Sequence, residues 1–201
     1  MNGDDRERAI LEGAERLLEE RPLHEVSVDD LARAAGISRS SFYFYFASKE
    51  AVLLSLLDRV AAEAGARRTA ALAGVTEASP GAYRAAIAAF HETFRAHRAV
   101  TLAAADARAS SPEIRAQWSR VMDGWVAETA AVIEAERARG SAPPGVPAHD
   151  LAAALNLMNE RVLYAAFAGE SPAPAGDVVE ALVAVWHGAI HGAPAPAPLP
   201  R

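Results

Sequence analysis

The sequence predicts an all-α protein, and three observations lead to that prediction. Apolar residues recur at the spacing of an amphipathic helix along most of the 201-residue chain, as they do at Ile10, Ala14, Leu17 and Leu18. Stretches rich in Pro and Gly separate these periodic segments, as loops between helices do. No stretch shows the sustained alternation of Val, Ile and Thr that is typical of strands. The chain is 51% hydrophobic, so a sizeable helical core can form.

Two short helices around a turn are predicted between Ser27 and Lys49. Ser27 is a favourable N-cap for the first helix, and Asp30 supplies the acidic partner of a capping box. Gly36 ends that helix in a left-handed conformation. Ser38 then caps the second helix, which begins with small and polar residues. Together they form a helix-turn-helix.

The other helices are predicted from caps, prolines and apolar spacing. One helix precedes the helix-turn-helix and ends before Pro22, because proline cannot donate the next helical hydrogen bond. Ser-Pro pairs at residues 79–80 and 111–112 each combine a cap with a proline at the first helical position. Gly65 lies inside the fourth helix, either as a tolerated packing residue or as a flexible point. The expected ranges are about 4–20, 48–72, 80 onward, 99–109, 112–140, 148–168 and 177–191.

Charge and composition limit the possible partners. The net charge of −6 mildly disfavours a nucleic-acid-binding protein, but residues 36–49 contain the cations Arg39 and Lys49 and no acid. DNA binding would depend on this small tip, so a single copy would bind modestly, which favours a dimer. The chain has no cysteine, which excludes disulfides and thiol chemistry. We expect neither a signal peptide nor a membrane span, and therefore a cytoplasmic protein.

One continuous run resembles the signature of TetR-type transcriptional repressors: Gly36-Ile37-Ser38-x-x-Ser41-Phe42-Tyr43-x-Tyr45-Phe46-x-Ser48-Lys49-Glu50. The resemblance implies that this head binds a double-stranded DNA operator. By position in the motif, it implies major-groove contacts for Arg39, Ser40, Ser41 and Tyr43, and phosphate contacts for Ser27, Tyr45 and Lys49. Ser38 completes the predicted DNA-contacting set. For each of these residues taken alone, the competing interpretation is an ordinary solvated side chain.

Beyond the head, the chain resembles the EthR branch of that family, named for the regulator of ethionamide resistance. The resemblance is carried by residues 41–46 with 49–54, by 129–133 with 135–137, and by 154–161. It implies a nine-helix TetR-type fold, a homodimer joined through the last two helices at about 148–168 and 177–191, and a long lipophilic pocket. The implied lining residues are Tyr83, Ile87, Phe90, Phe94, Trp118, Met122, Trp125, Thr129, Asn156, Asn159, Glu160, Tyr164 and Trp186.

Large side chains of this set recur at helical spacing on two helices, from Tyr83 to Phe94 and from Trp118 to Thr129. Such stripes usually belong to a core. Asn156 and Asn159 either bond to neighbouring backbone or offer hydrogen bonds to a ligand in a cavity. With the resemblance we favour a cavity, because a mostly apolar pocket with a few polar anchors is the usual form of a small-molecule site. Tyr83 departs from the EthR pattern, which has tryptophan at this position.

Other classes of function have less support. The sequence has no nucleophile-elbow motif, no phosphate-binding glycine loop and no paired-carboxylate motif, so we expect no enzyme and no cofactor. His187 and His191 have the i, i+4 spacing of a metal-binding pair, but no third ligand is apparent and we predict no metal site. An adaptor whose helix-turn-helix no longer binds DNA remains the third class, because the chain is acidic.

The predicted organisation has three parts. Residues 1–47 form a helix-turn-helix DNA-binding domain, 48–192 a helical ligand-binding and dimerisation domain, and 193–201 a disordered Pro/Ala tail. The predicted function is ligand-responsive repression. A homodimer binds a palindromic operator and is released by a lipophilic small molecule in the second domain.

Overall fold

A computed structural model describes residues 3–75, 77–171 and 177–192, and the tail predicted at 193–201 lies outside these ranges. The described residues form nine α-helices and one short 3-10 helix, without a β-strand, so the predicted all-α, nine-helix fold is confirmed. Among the described helices, none combines the length and the apolar character that a membrane span requires. The helices are α1 (Gly3–Glu20), the 3-10 helix (Leu23–Glu25), α2 (Val28–Ala34), α3 (Arg39–Phe42), α4 (Lys49–Ala71), α5 (Pro80–Ala96), α6 (Arg98–Ala107), α7 (Pro112–Ala138), α8 (Ala148–Ala168) and α9 (Val178–His191).

The polar residues predicted to start helices do so. Ser27 Oγ accepts the Asp30 N–H at 3.2 Å, and Asp30 Oδ2 accepts the Ser27 N–H at 3.0 Å, which completes the capping box of α2. The other five caps also accept the N–H of the third residue after them. They are Ser38, Ser48, Ser79, Ser111 and Asp177.

Two glycines shape the helix-turn-helix. Gly36 has a φ of 67°, as predicted, and the following Ile37 N–H bonds back to the Ala32 carbonyl at 3.0 Å. Gly13 lies where α1 crosses α2, and a Cβ added there would lie 3.0 Å from the Ala34 Cβ. The close approach of these two helices therefore requires the absence of a side chain at residue 13.

By its internal contacts the chain divides into two compact units. The first unit comprises Met1–Gly65 and Thr93–Ser119, and the second comprises Ala66–Glu92 and Arg120–Arg201. The first unit therefore contains α1 to α3, most of α4, and α6. The boundary predicted between residues 47 and 48 separates two functions, DNA binding and ligand binding. The division by internal contacts does not test it, so it stays a prediction.

The core of the first unit anchors the short helix α3. Ile10 of α1, Leu31 of α2, Phe42 of α3 and Leu53 of α4 are all fully buried. Truncating a buried side chain of this size costs about 2–5 kcal/mol. Phe46 follows α3 in a turn, and its buried ring lies 6.1 Å from that of Phe42. One side of α3 is thus fixed, and its other side is left to solvent.

The second unit contains a buried carboxylate. Glu136 on α7 is 2% exposed, its Oε1 accepts the Ala78 N–H at 3.1 Å, and Arg139 forms an ion pair with it. Burial alone would raise the pKa of Glu136, but these two partners outweigh it and hold the pKa below its ordinary value of 4.5. Glu136 therefore fastens the segment before α5 to the end of α7 as a carboxylate.

Candidate functional site

The exposed side of α3 carries most of the residues predicted to contact DNA. Ser38, Arg39 and Ser40 are exposed, Tyr43 is 49% exposed, and Ser41 is partly exposed. The structure therefore brings these five side chains to one surface of the first unit.

Three serine hydroxyls form a network at the start of α3. Ser38 Oγ accepts the Ser41 N–H at 3.1 Å and lies 2.9 Å from Ser40 Oγ and 2.8 Å from Ser41 Oγ. A hydroxyl has one donor and two acceptor positions, so the three bonds of Ser38 match its full capacity and fix the positions of the Ser40 and Ser41 hydroxyls. The network presents small polar groups in fixed positions.

Arg39, the first residue of α3, is held by two neighbours. Its Nη1 donates to Asp29 Oδ2 at 2.7 Å, and the Tyr43 side chain also interacts with its guanidinium. These partners, Tyr43 first and Asp29 second, raise the pKa of Arg39 above its ordinary value. The guanidinium is therefore charged and positioned, while its side chain remains 58% exposed.

Phe44 is a candidate that the sequence analysis missed. Its side chain is 86% exposed, directly after Tyr43 on the same surface. A large apolar side chain so open to water indicates a contact surface when polar contact residues surround it. The signal was in the sequence, because Phe44 lies out of phase between two phenylalanines expected to face the core.

A surface depression of about 420 Å³ lies beside α3. It brings together three residues of the predicted set, Ser27, Tyr43 and Lys49, but it also includes the acids Glu25 and Glu50. Its charge is therefore mixed, and it is less favourable to phosphate than a purely basic groove.

Lys49 already has three partners inside the head. Its Nζ donates to the carbonyls of Leu23 at 2.8 Å, His24 at 3.3 Å and Val26 at 2.9 Å. An ammonium has three donors, so these bonds match its capacity and fix the 3-10 helix. This geometry favours a structural role, and the phosphate contacts of Lys49 and of the partly buried Tyr45 stay predictions.

Ser27 is likewise engaged within the head. Its hydroxyl donates to Asp30 Oδ2 at 2.7 Å. Because phosphate oxygens only accept hydrogen bonds, a side-chain contact from Ser27 to phosphate would compete with this bond. The same bond, together with the Ser27 N–H and the charge of Arg21, lowers the pKa of Asp30 from 3.8 to about 2.

Four large rings of the second unit pack as two pairs, Tyr83 with Trp186 and Phe90 with Trp125, and the two pairs together are called the aromatic cluster. The Phe90 and Trp125 centroids are 4.9 Å apart with edge-to-face geometry, and those of Tyr83 and Trp186 are 6.0 Å apart. The Arg68 guanidinium lies 5.7 Å from the Phe90 centroid, and it forms an ion pair with Glu128 on α7. The sequence did not indicate Arg68, because its neighbours are distant along the chain.

Asn156 and Asn159, the two amides of the predicted lining, each use one end of the amide group in hydrogen bonds within the protein. Asn156 Nδ2 donates to Thr129 Oγ1 at 3.0 Å and to the Ala152 carbonyl at 2.9 Å. Asn159 Oδ1 accepts the indole N–H of Trp186 at 2.9 Å. The amide oxygen of Asn156 and the amide NH₂ of Asn159 take part in none of the hydrogen bonds between described residues. Bonding within the protein is therefore realised in part, and the alternative of hydrogen bonds to a ligand in a cavity stays a prediction.

The rest of the predicted lining is divided between the units. Phe94 and Trp118 belong to the first unit, where their rings make an edge contact with centroids 6.3 Å apart. The second unit holds the other four members. Glu160 and Tyr164 are partly buried there, and Ile87 and Met122 are buried.

His187 and His191 do not form a ready metal site. Their rings are 4.9 Å apart, but both nitrogens of His191 have partners: Nδ1 lies 2.9 Å from the Ser141 carbonyl and Nε2 lies 3.0 Å from the Tyr83 hydroxyl. A neutral imidazole satisfies both contacts by donating from Nδ1 and accepting at Nε2. Burial, with a smaller contribution from Glu136, raises the pKa of the Tyr83 hydroxyl well above its ordinary value. In the part of the chain that the structure describes, no group of three metal-ligating side chains occurs.

The paired helices α8 and α9 have an exposed apolar face. Leu157 on α8 is 52% exposed, and Val185 on α9 is 47% exposed. Around Val185 lie the small exposed residues Ala181, Ala184 and Gly188, and open space surrounds the Gly188 Cα. Such a face suits close packing against another helix.

Two family models match different parts of the chain. A model described as bacterial regulatory proteins of the tetR family matches residues 10–56. A second model, described as the C-terminal domain of transcriptional regulator EthR, matches residues 83–192, which is more than half of the chain. The chain belongs to the TetR family of transcriptional regulators. Within it, this TetR-family regulator is of the EthR type.

Two relatives extend the likeness to nearly the full length. The chain is 56% identical to the HTH-type transcriptional regulator EthR of Mycobacterium tuberculosis over 193 residues, which are 95% of this chain and 89% of the relative. It is 50% identical to EthR of Mycolicibacterium smegmatis over 192 residues, which are 95% and 88% of the two chains. The regulator is therefore a DNA-binding transcription factor and not an enzyme, as predicted.

Solved structures of more distant proteins share the fold. A TetR-family regulator from Syntrophomonas wolfei superposes with a TM-score of 0.74 at 18% identity, over 93% of this chain and 95% of that chain. A transcriptional regulator from Saccharomonospora viridis, solved in complex with choline, gives a TM-score of 0.70 at 23% identity, over 90% and 94%. At these identities the likeness concerns the fold alone.

Proposed function

We propose that this TetR-family regulator is a ligand-responsive repressor. A homodimer binds a palindromic operator and leaves it when a lipophilic small molecule binds in the helical domain at residues 48–192. One observation carries the ligand-responsive part: the aromatic cluster adjoins two amides that keep one acceptor and one donor open. Because its target is chromosomal DNA, we expect the protein to act in the cytoplasm.

The DNA contact is proposed for the exposed side of α3. Arg39 suits the paired acceptors of a guanine edge, and the hydroxyls of Ser40 and Ser41 suit either bases or phosphate. Tyr43 and the added Phe44 offer apolar surface to a thymine methyl group. Ser27, Tyr45 and Lys49 complete the proposed surface, and their contacts require rearrangement of the internal bonds described above.

The homodimer is proposed on the exposed faces of α8 and α9. Residues 36–49 of each head carry two cations, Arg39 and Lys49, so one copy would bind DNA modestly and two copies would give a more stable complex. In a two-fold dimer, the two α3 helices would enter successive major grooves about 34 Å apart, and the operator would be palindromic.

The effector is proposed to bind beside the aromatic cluster. There the Asn159 NH₂ donates and the Asn156 oxygen accepts, so the complementary ligand is lipophilic and carries a carbonyl next to an N–H or O–H group. Effector and operator then oppose each other through a shared coupling free energy of about 1–3 kcal/mol. Helix α4 contributes residues to both units, and we expect it to carry this coupling.

The DNA-binding part is tested by selection from a pool of duplexes with a randomised centre, followed by sequencing and a salt series. The wild-type protein is expected to enrich a two-fold symmetric sequence. Arg39→Ala is expected to weaken binding to that sequence by about 1–3 kcal/mol and to relax the preference at one position of each half-site. Arg8→Ala is the matched control, because it removes an exposed arginine from α1 of the same head. An unchanged base preference in Arg39→Ala would remove Arg39 from the groove.

A further inference from the structure

We infer that Asp29 is a positioning residue for base recognition, because its carboxylate orients the Arg39 guanidinium before DNA is bound. The inference rests on the proposed role of Arg39 in the major groove. Asp29 is an acid at the proposed DNA-facing surface, so its charge alone would disfavour DNA. The inference gives it a role in recognition instead.

The geometry joins the two helices of the helix-turn-helix. Asp29 is the second residue of α2, Arg39 is the first residue of α3, and the turn between them is fixed by Gly36. The Nη1 to Oδ2 distance of 2.7 Å is that of a short charge-assisted hydrogen bond. The pair thus spans the turn, and it depends on the same local structure that presents α3.

Orientation matters because arginine has many rotamers. Ordering such a side chain costs conformational entropy. A carboxylate that already holds one edge of the guanidinium removes part of this cost from the DNA-binding step. A guanidinium has five N–H donors, so donors remain for a base edge after Asp29 has accepted one.

The charge of Asp29 has a second and separable effect. An acid at this surface opposes the approach of any phosphate backbone, whatever the sequence of the duplex. Orientation of Arg39 favours only the base that Arg39 recognises. Asp29 is therefore expected to lower affinity for all DNA slightly and to raise the ratio of specific to non-specific affinity.

The test uses the full chain with two probes: the duplex selected by the wild-type protein and a scrambled duplex of the same composition. Asp29→Asn removes the charge and keeps the size. We expect the specific-to-scrambled affinity ratio to fall about 3- to 10-fold, with binding to the scrambled duplex unchanged or tighter. Glu20→Gln, which removes an acid from the end of α1, is the control and should leave the ratio unchanged.

A double-mutant cycle shows whether the effect passes through Arg39. In the Arg39→Ala background, adding Asp29→Asn should change the ratio no further. The inference is overturned if Asp29→Asn lowers the affinity ratio equally with and without Arg39, or does not lower it at all. Either result leaves the proposed role of Arg39 intact. If Arg39→Ala itself leaves the ratio unchanged, the proposed groove contact and the inference both fall. Thermal melts confirm folding, and Asp29→Ser replaces Asp29→Asn if that variant melts below the assay temperature.

Discussion

Asp30 shows how a single side chain fixes the start of α2 through several weak contacts. Its carboxylate accepts the hydroxyl and the N–H of Ser27 and pairs with Arg21 at 3.1 Å. These partners favour the charged form, so the pKa falls from 3.8 to about 2. The stabilising contribution of the carboxylate is therefore complete above the unfolded-state pKa and is lost as the pH falls through about 2.

An NMR titration of the Asp30 carboxyl is expected to give a midpoint near 2 instead of near 4. Asp30→Asn should flatten the decline of the melting temperature between these pH values, because its side chain does not titrate. Asp4→Asn, at the exposed start of α1, should leave that decline as in the wild type. A midpoint near 4 for Asp30 would show that the capping box is not formed in solution.

Individual residues also show where the sequence stops being informative. The cap Ser27 and its partner Asp30 are three residues apart, so a local pattern predicts them. Lys49 is bound to carbonyls 23 to 26 residues away, and no local pattern indicates that its donors are engaged. The pairing of Arg39 with Asp29 could have been noticed, because both residues are charged and lie on adjacent short helices.

At the scale of elements, His97 joins three helices of the first unit. It precedes α6, its Nδ1 contacts Glu15 on α1, and its Nε2 lies 3.2 Å from Glu63 on α4. Both ring nitrogens of His97 are therefore engaged by carboxylates of other helices. The side chains of His97 and Glu15 are each 23% exposed, so solvent screens this contact only in part.

His97→Gln is predicted to destabilise the protein by about 1–3 kcal/mol, because glutamine has a single nitrogen and cannot place one at both positions of the imidazole ring. The measurement is the free energy of unfolding in urea. His149→Gln is the matched control, since His149 forms only an exposed pair with its neighbour on α8. If both substitutions change the free energy of unfolding by the same small amount, the contacts of His97 with Glu15 and Glu63 do not stabilise the protein.

The helices themselves were largely predictable because their start signals are local. Ser38, Ser79, Ser111 and Asp177 each cap the helix expected after them. The exception is the 3-10 helix after α1, which the sequence analysis missed. It depends on the distant ammonium of Lys49, so no cap or periodic pattern marks it.

At the scale of the whole molecule, the family and the nine helices could be predicted from the sequence, but the division into compact units could not. Residues 93–119 belong to the same unit as the head, and this grouping depends on contacts between residues far apart in the chain. The open groups of the two amides were also unpredictable, because the partners of Asn156 and Asn159 lie up to 27 residues away. The dimer remains a prediction from resemblance and from the exposed faces of α8 and α9.

The central claim is that a small molecule in the helical domain releases DNA, and the chain offers a direct probe of it. All three tryptophans of the sequence, Trp118, Trp125 and Trp186, belong to the predicted lining. Intrinsic fluorescence therefore reports on this region without labelling. A panel of uncharged lipophilic amides supplies the carbonyl and N–H that Asn159 and Asn156 complement.

The decisive measurement is a titration of the protein, bound to its selected duplex, with these amides, following tryptophan fluorescence and the anisotropy of labelled DNA together. We predict that at least one amide changes both signals over the same concentration range. Trp125→Ala should abolish both responses and keep DNA affinity without ligand, whereas the control Val132→Ala, at an exposed residue of α7 outside the predicted lining, should keep both. Fluorescence changes without DNA release, or release that survives Trp125→Ala undiminished, would contradict the account.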